Sequence, residues 1–193
     1  MAIVVTLPDD PIPSLAEVKA HLKATDYNDD DADITSKIWG AINEFDDPNL
    51  GFLGRTLIAR QIEMSFDEFD DCIYLNDFPI LSGASYPFTI VYDDEDGIEQ
   101  TLVNTVYRVL DPQTYKARVV LRSGESWPSI YDQEQAVRIR FWAGYDEDDV
   151  RLNNFKSAVK LHVEMTYDGD PDKKMNYYET IYRLLNGYKV LRV

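Results

Sequence analysis

Two stretches of this chain space their carboxylates as a calcium-binding loop would. Such a loop wants acids at its first, third and fifth positions, glycine at the sixth and glutamate at the twelfth. Asp168, Asp170, Asp172 and Glu179 meet the acidic positions and fall between two predicted helices. Lys173 stands where the glycine belongs, Pro171 sits inside the loop, and Lys173-Lys174 place positive charge where a cation would bind. A lysine at that position would need the left-handed backbone that glycine adopts freely. The stretch therefore reads as a solvated connection between helices, with a calcium-binding module as the alternative. The run Asp26, Asn28, Asp30 fails more plainly, because Asp31 and Lys37 occupy the glycine and glutamate positions.

Other chemistries find still less. A serine hydrolase presents its nucleophile on a tight turn such as G-x-S-x-G; Gly124-Glu125-Ser126 is the nearest approach and lacks the second glycine. His21 and His162 both lie in predicted helices with apolar neighbours, which suits packed or surface histidines better than catalytic bases. No glycine-rich loop has the spacing that cradles phosphate. Carboxylates are plentiful, but they cluster in turns and helix ends, where solvent keeps their pKa values ordinary; an acid-base hydrolase is a weaker alternative. The single cysteine, Cys72, cannot form an internal disulfide, nor a zinc site with only two histidines, and reads as a small half-buried strand residue. The expectation is no catalytic residue, no metal and no cofactor.

Charge excludes more. The 193 residues carry a formal net charge of −16, with 45% hydrophobic and 28% charged residues, the balance of a globular chain with a real core. Such acidity argues against DNA binding through phosphate neutralisation; it suits a protein that DNA passes without sticking, and many ordinary soluble proteins equally well. The charge is uneven: residues 26–47 hold eight acids and one base, Lys37, whereas after Glu179 come only Arg183, Lys189 and Arg192. Opposite ends can thus meet partners by opposite charge. No apolar run reaches membrane-spanning length, and residues 1–6 are too short and lack the basic flank of a signal peptide, so a cytoplasmic origin is the default expectation.

Periodicity supplies the elements that would position these groups. Ser14 and Glu17 have capping-box spacing before Leu15, Val18 and Leu22, predicting a helix from 15 to about 24. Ile34, Ile38, Ala41, Ile42 and Phe45 predict a second over 31–46. From Gly54 the period becomes two, and short strands are expected within 57–66, 72–75, 89–92, 98–103, 107–110, 118–122 and 136–142. Asp96-Gly97 marks a hairpin turn, and Val137, Ile139 and Phe141 alternating with Arg138 and Arg140 give the cleanest strand. Helical spacing returns over 148–167 and 172–186, with Gly187 as the terminating glycine.

The order of helices, strands and helices predicts an α+β fold. The N- and C-terminal helices, residues 1–53 and 146–187, should form a bundle carrying an inserted antiparallel β domain, 54–145, followed by an extended tail, 188–193. Tyr177, Tyr178 and Tyr182 crowd the last helix, and tyrosine is favoured at protein interfaces, so these three are candidates for contact between subunits.

The succession of motifs resembles the head-to-tail connector, or adaptor, proteins of long-tailed bacteriophages and phage-like gene-transfer particles. Residues 14–22, Ser-Leu-Ala-Glu-Val-Lys-Ala-His-Leu, are similar to the first helix of that family, and Asp29-Asp30-Asp31 before Ile34 and Ile38 resembles its second. Gly54-Arg55-Thr56-Leu57-Ile58 looks like its turn into the first strand, Tyr92 to Gly97 like its acidic hairpin, and Trp127-Pro128 like its Trp-Pro pair. Phe141-Trp142-Ala143-Gly144-Tyr145 resembles a strand end of the family, and Leu184-Leu185-Asn186-Gly187-Tyr188-Lys189 its closing sequence. Gly187 and Lys189 depart from the family's usual proline and arginine, and the segment 47–53 is longer than its counterpart.

The resemblance implies a non-enzymatic structural protein of the virion neck, assembled in the cytoplasm of a bacterial host. It implies a ring of twelve copies seated under the portal protein, with a stopper or tail-terminator protein on the other side. DNA would pass through the ring without specific binding. It also assigns portal binding to the C-terminal segment, here Tyr188, Lys189, Val190, Leu191, Arg192 and Val193.

Overall fold

The computed structural model describes residues 2–6, 8–47, 51–167 and 174–189. It is an α+β protein whose described residues fall into two compact units: one within 8–58 and 145–193, the other within 1–7 and 59–144.

The first unit is helical. Its first helix, α1 (Leu15–Leu22), opens on a complete capping box: Ser14 Oγ accepts from Glu17 N at 3.3 Å and Glu17 Oε2 accepts from Ser14 N at 2.9 Å. Lys19 is buried, and its ammonium donates to Asn28 Oδ1 and Asp31 Oδ1, both at 2.6 Å, fastening α1 to the start of α2 (Asp31–Asp46). A turn at Val150–Leu152 leads into α3 (Asn153–Tyr167), and α4 (Lys174–Leu185) packs against α3. The core is the expected stripe of α2 with Val18, Phe155, Ala158, Val159, Val163, Ile181 and Leu185. Both histidines sit within this unit: His21 Nε2 lies 2.8 Å from Glu164 and His162 Nε2 3.2 Å from Glu44, with the His162 ring edge-on to Phe45.

The second unit is β-rich. A five-stranded antiparallel sheet has the order β1 (Ala2–Thr6), β2 (Arg60–Phe66), β8 (Val137–Ala143), β4 (Thr89–Asp93), β5 (Glu99–Thr101). A three-stranded antiparallel sheet has the order β3 (Cys72–Tyr74), β7 (Arg118–Leu121), β6 (Tyr107–Leu110). Alternation sets which side is buried: Ile62 and Met64 of β2 and Val137, Ile139 and Phe141 of β8 point into one core. The opposite face carries the polar alternates, with Glu63 in register with Arg140. Cys72 is half-buried in β3.

Several local expectations need correction. Residues 2–6 belong with the β unit: Ile3 and Val4 pair with Glu63 and Ile62 of β2, a long-range register that a short apolar run does not announce. The strand expected from 57 begins at Arg60; Leu57 and Ile58 instead give their N–H groups to the carboxylate of Asp46 at the end of α2. Asp46 is fully buried, so not every helix-end acid is a solvated one. Gly187 does not take the left-handed backbone of a terminating glycine; α4 ends in successive turns, with Tyr188 N donating to Leu185 O at 2.9 Å. Asp168, Asp170 and Asp172 of the calcium-like spacing lie outside the described residues, and Glu179 is part of α4.

Candidate functional site

The C-terminal helix and the start of the tail converge with three of the sequence motifs on one surface of the helical unit. Position follows from local structure. Tyr145 N donates to Leu57 O at 2.6 Å, so the strand end after β8 is stitched to the segment entering β2. Its ring then receives two guanidinium groups: Arg151 lies 4.2 Å and Arg55 5.6 Å from the centroid, and Arg55 also donates to the Tyr145 hydroxyl at 3.1 Å. Asp149, the cap of the turn before α3, holds Arg151 over that ring. Its carboxyl is pulled below the usual range mainly by the hydrogen bonds from Arg151.

Onto this frame comes the tail. The Tyr188 hydroxyl donates to Arg151 O, and burial pushes its pKa up. Lys189 places its ammonium 4.2 Å from the centre of the Phe52 ring, which Tyr182 meets edge-on at 5.0 Å. Gly51, just before Phe52, is a position where a side chain would not fit: a Cβ there would lie 2.5 Å from Asp47 N. Two backbone hydrogen bonds set where Phe52 stands, Gly51 N to Asp47 O at 2.8 Å and Phe52 N to Glu44 O at 2.9 Å.

Two of the three tyrosines proposed as subunit contacts present themselves outward: Tyr178 is 42% and Tyr182 47% exposed, beside the largely exposed Met175. Tyr177 has a role within the chain, donating to Glu164 Oε1 at 2.9 Å and so joining α4 to α3. Of the tail, Tyr188 and Lys189 lie against the helical unit, and Val190, Leu191, Arg192 and Val193 lie outside the described residues. The fold therefore anchors the root of the tail at two points.

Three arginines of the β unit are held by acidic partners. Arg138 makes a paired contact with Asp93, at 2.8 and 3.1 Å, and reaches Glu99 at 2.9 Å; Arg140 pairs with Glu63 and Arg118 with Asp111. Arg138 holds Asp93 ionised, its pKa lowered chiefly by their hydrogen bonds. The acidic hairpin is built by Asp94, whose carboxylate accepts from Asp96 N at 3.1 Å and Ile98 N at 3.0 Å, with Gly97 in the left-handed region at φ 74°. Trp127 of the Trp-Pro pair stacks on Phe69 at 4.7 Å and donates to Asp70 O, which pins a long connection to the β unit. Among the described residues no three metal-ligating side chains gather, and no helix is long and apolar enough to cross a membrane.

No protein-family model and no curated protein matches the sequence. Solved structures do match. The chain is similar over its whole length to a protein in the neck of an empty gene transfer agent (GTA) particle, with TM-score 0.66 and 21% identity. It is likewise similar to a chain of the native GTA virion, TM-score 0.70 and 22% identity, and to one in the native GTA neck computed with twelvefold symmetry, TM-score 0.68 and 22% identity. Each comparison covers 100% of this chain and 97% of the other. The fold is thus that of these particle proteins, from one end to the other.

Proposed function

We propose that this chain is a structural neck protein of a tailed phage or phage-like particle, an adaptor that forms a ring beneath the portal and extends the DNA channel toward the tail. The observation that carries this reading is the whole-chain likeness in fold to proteins of the GTA particle, two of them from its neck, which agrees with the motif order read from the sequence. On this reading the protein is not an enzyme, and its work is recognition of neighbours.

Physical chemistry supports each part. A ring of chains, each at −16, surrounds its channel with negative charge and lets DNA slide. The tail, from Tyr188 to Val193, is the portal-docking segment. Tyr188 and Lys189 fix where it leaves the helical unit, and the apolar and basic side chains of Val190, Leu191, Arg192 and Val193 make the contact. Such apolar and basic side chains suit a groove or a sheet edge of the partner. The outward Tyr178 and Tyr182 supply stiff contact area for an adjacent copy, and a tail-side neck protein completes the set of partners.

The test is deletion of 190–193, which leaves both anchors in place. We expect unchanged helical circular dichroism and loss of co-sedimentation with portal particles. A truncated chain that joins the portal as the full chain does would overturn the portal-docking role of the tail.

A further inference from the structure

We infer that adjacent copies engage head to tail through their β units, the acidic hairpin tip of one copy seating in a groove that carries Arg108 and Arg122 of the next. The inference rests on the ring reading above and adds the residues that would close the ring.

The groove, about 660 Å³ in volume, is bounded by Tyr86, Phe88, Asn104, Tyr107, Arg108 and Arg122 among others. Arg108 lies on β6, an edge strand of its sheet, and Arg122 directly follows β7 beside it. Both arginines are exposed, and among the described residues neither has a carboxylate within ion-pair distance; Arg122 Nε donates only to Tyr107 O, at 2.8 Å. Arg118, Arg138, Arg140 and Arg151, by contrast, all have acidic partners. In a chain with 35 acids and 19 lysines and arginines, two uncompensated arginines lining one groove with aromatic side chains call for an acidic occupant.

The hairpin between β4 and β5 has the matching chemistry. Glu95 and Asp96 are exposed and make no ion pair among the described residues, and Ile98 beside them is 58% exposed. The turn is stiffened by Asp94, so its acids are presented without large ordering cost. Topology forbids the tip from reaching its own groove. Phe88, Asn104 and Thr105 lie at one end of the β4–β5 ladder and residues 94–97 at the other, about 20 Å away along an extended strand. A patch and its complement at opposite ends of one ladder make a heterologous contact, which propagates from copy to copy and, on the ring reading, closes. DNA is a poorer occupant than the hairpin, because two arginines in so acidic a chain supply little of the phosphate neutralisation that binding needs.

Disulfide trapping tests this directly, in a Cys72→Ser background whose circular dichroism matches the parent. Chains carrying Asp96→Cys and Arg108→Cys, distinguishable by mass, are mixed and oxidised. The mixed dimer should exceed either like dimer by at least about tenfold at low salt and fall toward statistical proportion as salt screens the pairing. Statistical proportion at all salt concentrations overturns the inference. As a second readout in the full chain, R108E/R122E should lose ring formation and the added exchange E95K/D96K should restore it; rings that persist in R108E/R122E overturn it too. Rings on the portal without selective trapping would leave the neck reading standing and remove this contact. Selective trapping in a chain that ignores the portal would keep the contact and remove the neck reading.

Discussion

The helical unit and the β unit put the same surplus of carboxylates to two uses, each found in both units but best seen in one. In the helical unit acids finish the backbone: Glu17 and Ser14 satisfy the first turn of α1, and Asp46 takes the N–H groups of Leu57 and Ile58. In the β unit acids answer arginines across strands, as Asp93 and Glu99 do for Arg138 and Glu63 does for Arg140. Burial does not follow the use: Asp46 is fully buried and Glu17 half-buried, while across the strands Asp93 is buried and Glu99 lies toward solvent.

The largest test of that contrast bears on the cores that the two uses frame. Phe155 in the helical unit and Phe141 in the β unit are both fully buried, and truncation of either to alanine should cost about 3–5 kcal/mol in urea denaturation. A negligible loss at one of them would mean that its core is not the one described. Next comes the buried carboxylate. Asp46→Ala strands two buried N–H groups and should cost about 1.5–3 kcal/mol, with Asp46→Asn costing less because its carbonyl oxygen still accepts. Removing the side chain of Ser14 should cost about 1 kcal/mol, read from the same unfolding curves.

The smallest effect concerns acid. Arg138 lowers the pKa of Asp93 below its ordinary 3.8, so the pairing stabilises the fold above that value and is lost as pH falls through the lower folded-state pKa. Arg138→Ala removes this contribution, so the variant should lose less stability than the parent between pH 5 and strong acid. Parallel melting curves over that range would refute the pairing.

How much of this was legible beforehand follows the range of each interaction. The bounds of α2, the turn at Gly97 and the alternation of β8 are set by neighbours a few residues away, and periodicity found them. The pairing of residues 2–6 with β2 and the bonds from Asp46 to Leu57 and Ile58 join distant or irregular segments, where pattern carries no signal. The tyrosines of α4 were visible as a cluster, but only packing separates Tyr177, tied to Glu164, from the outward Tyr178 and Tyr182. Arg108 and Arg122 look like any strand arginines in the sequence; their lack of an acidic partner is a property of the folded chain.

The central claim, a neck adaptor that assembles on the portal, is tested most directly by the mass of the purified protein in light scattering, alone and with portal particles from the same source. The account predicts a ring, either free or formed on the portal, with a copy number that matches the portal's symmetry. A chain that stays monomeric and leaves the portal untouched, at low and at moderate salt alike, would contradict it.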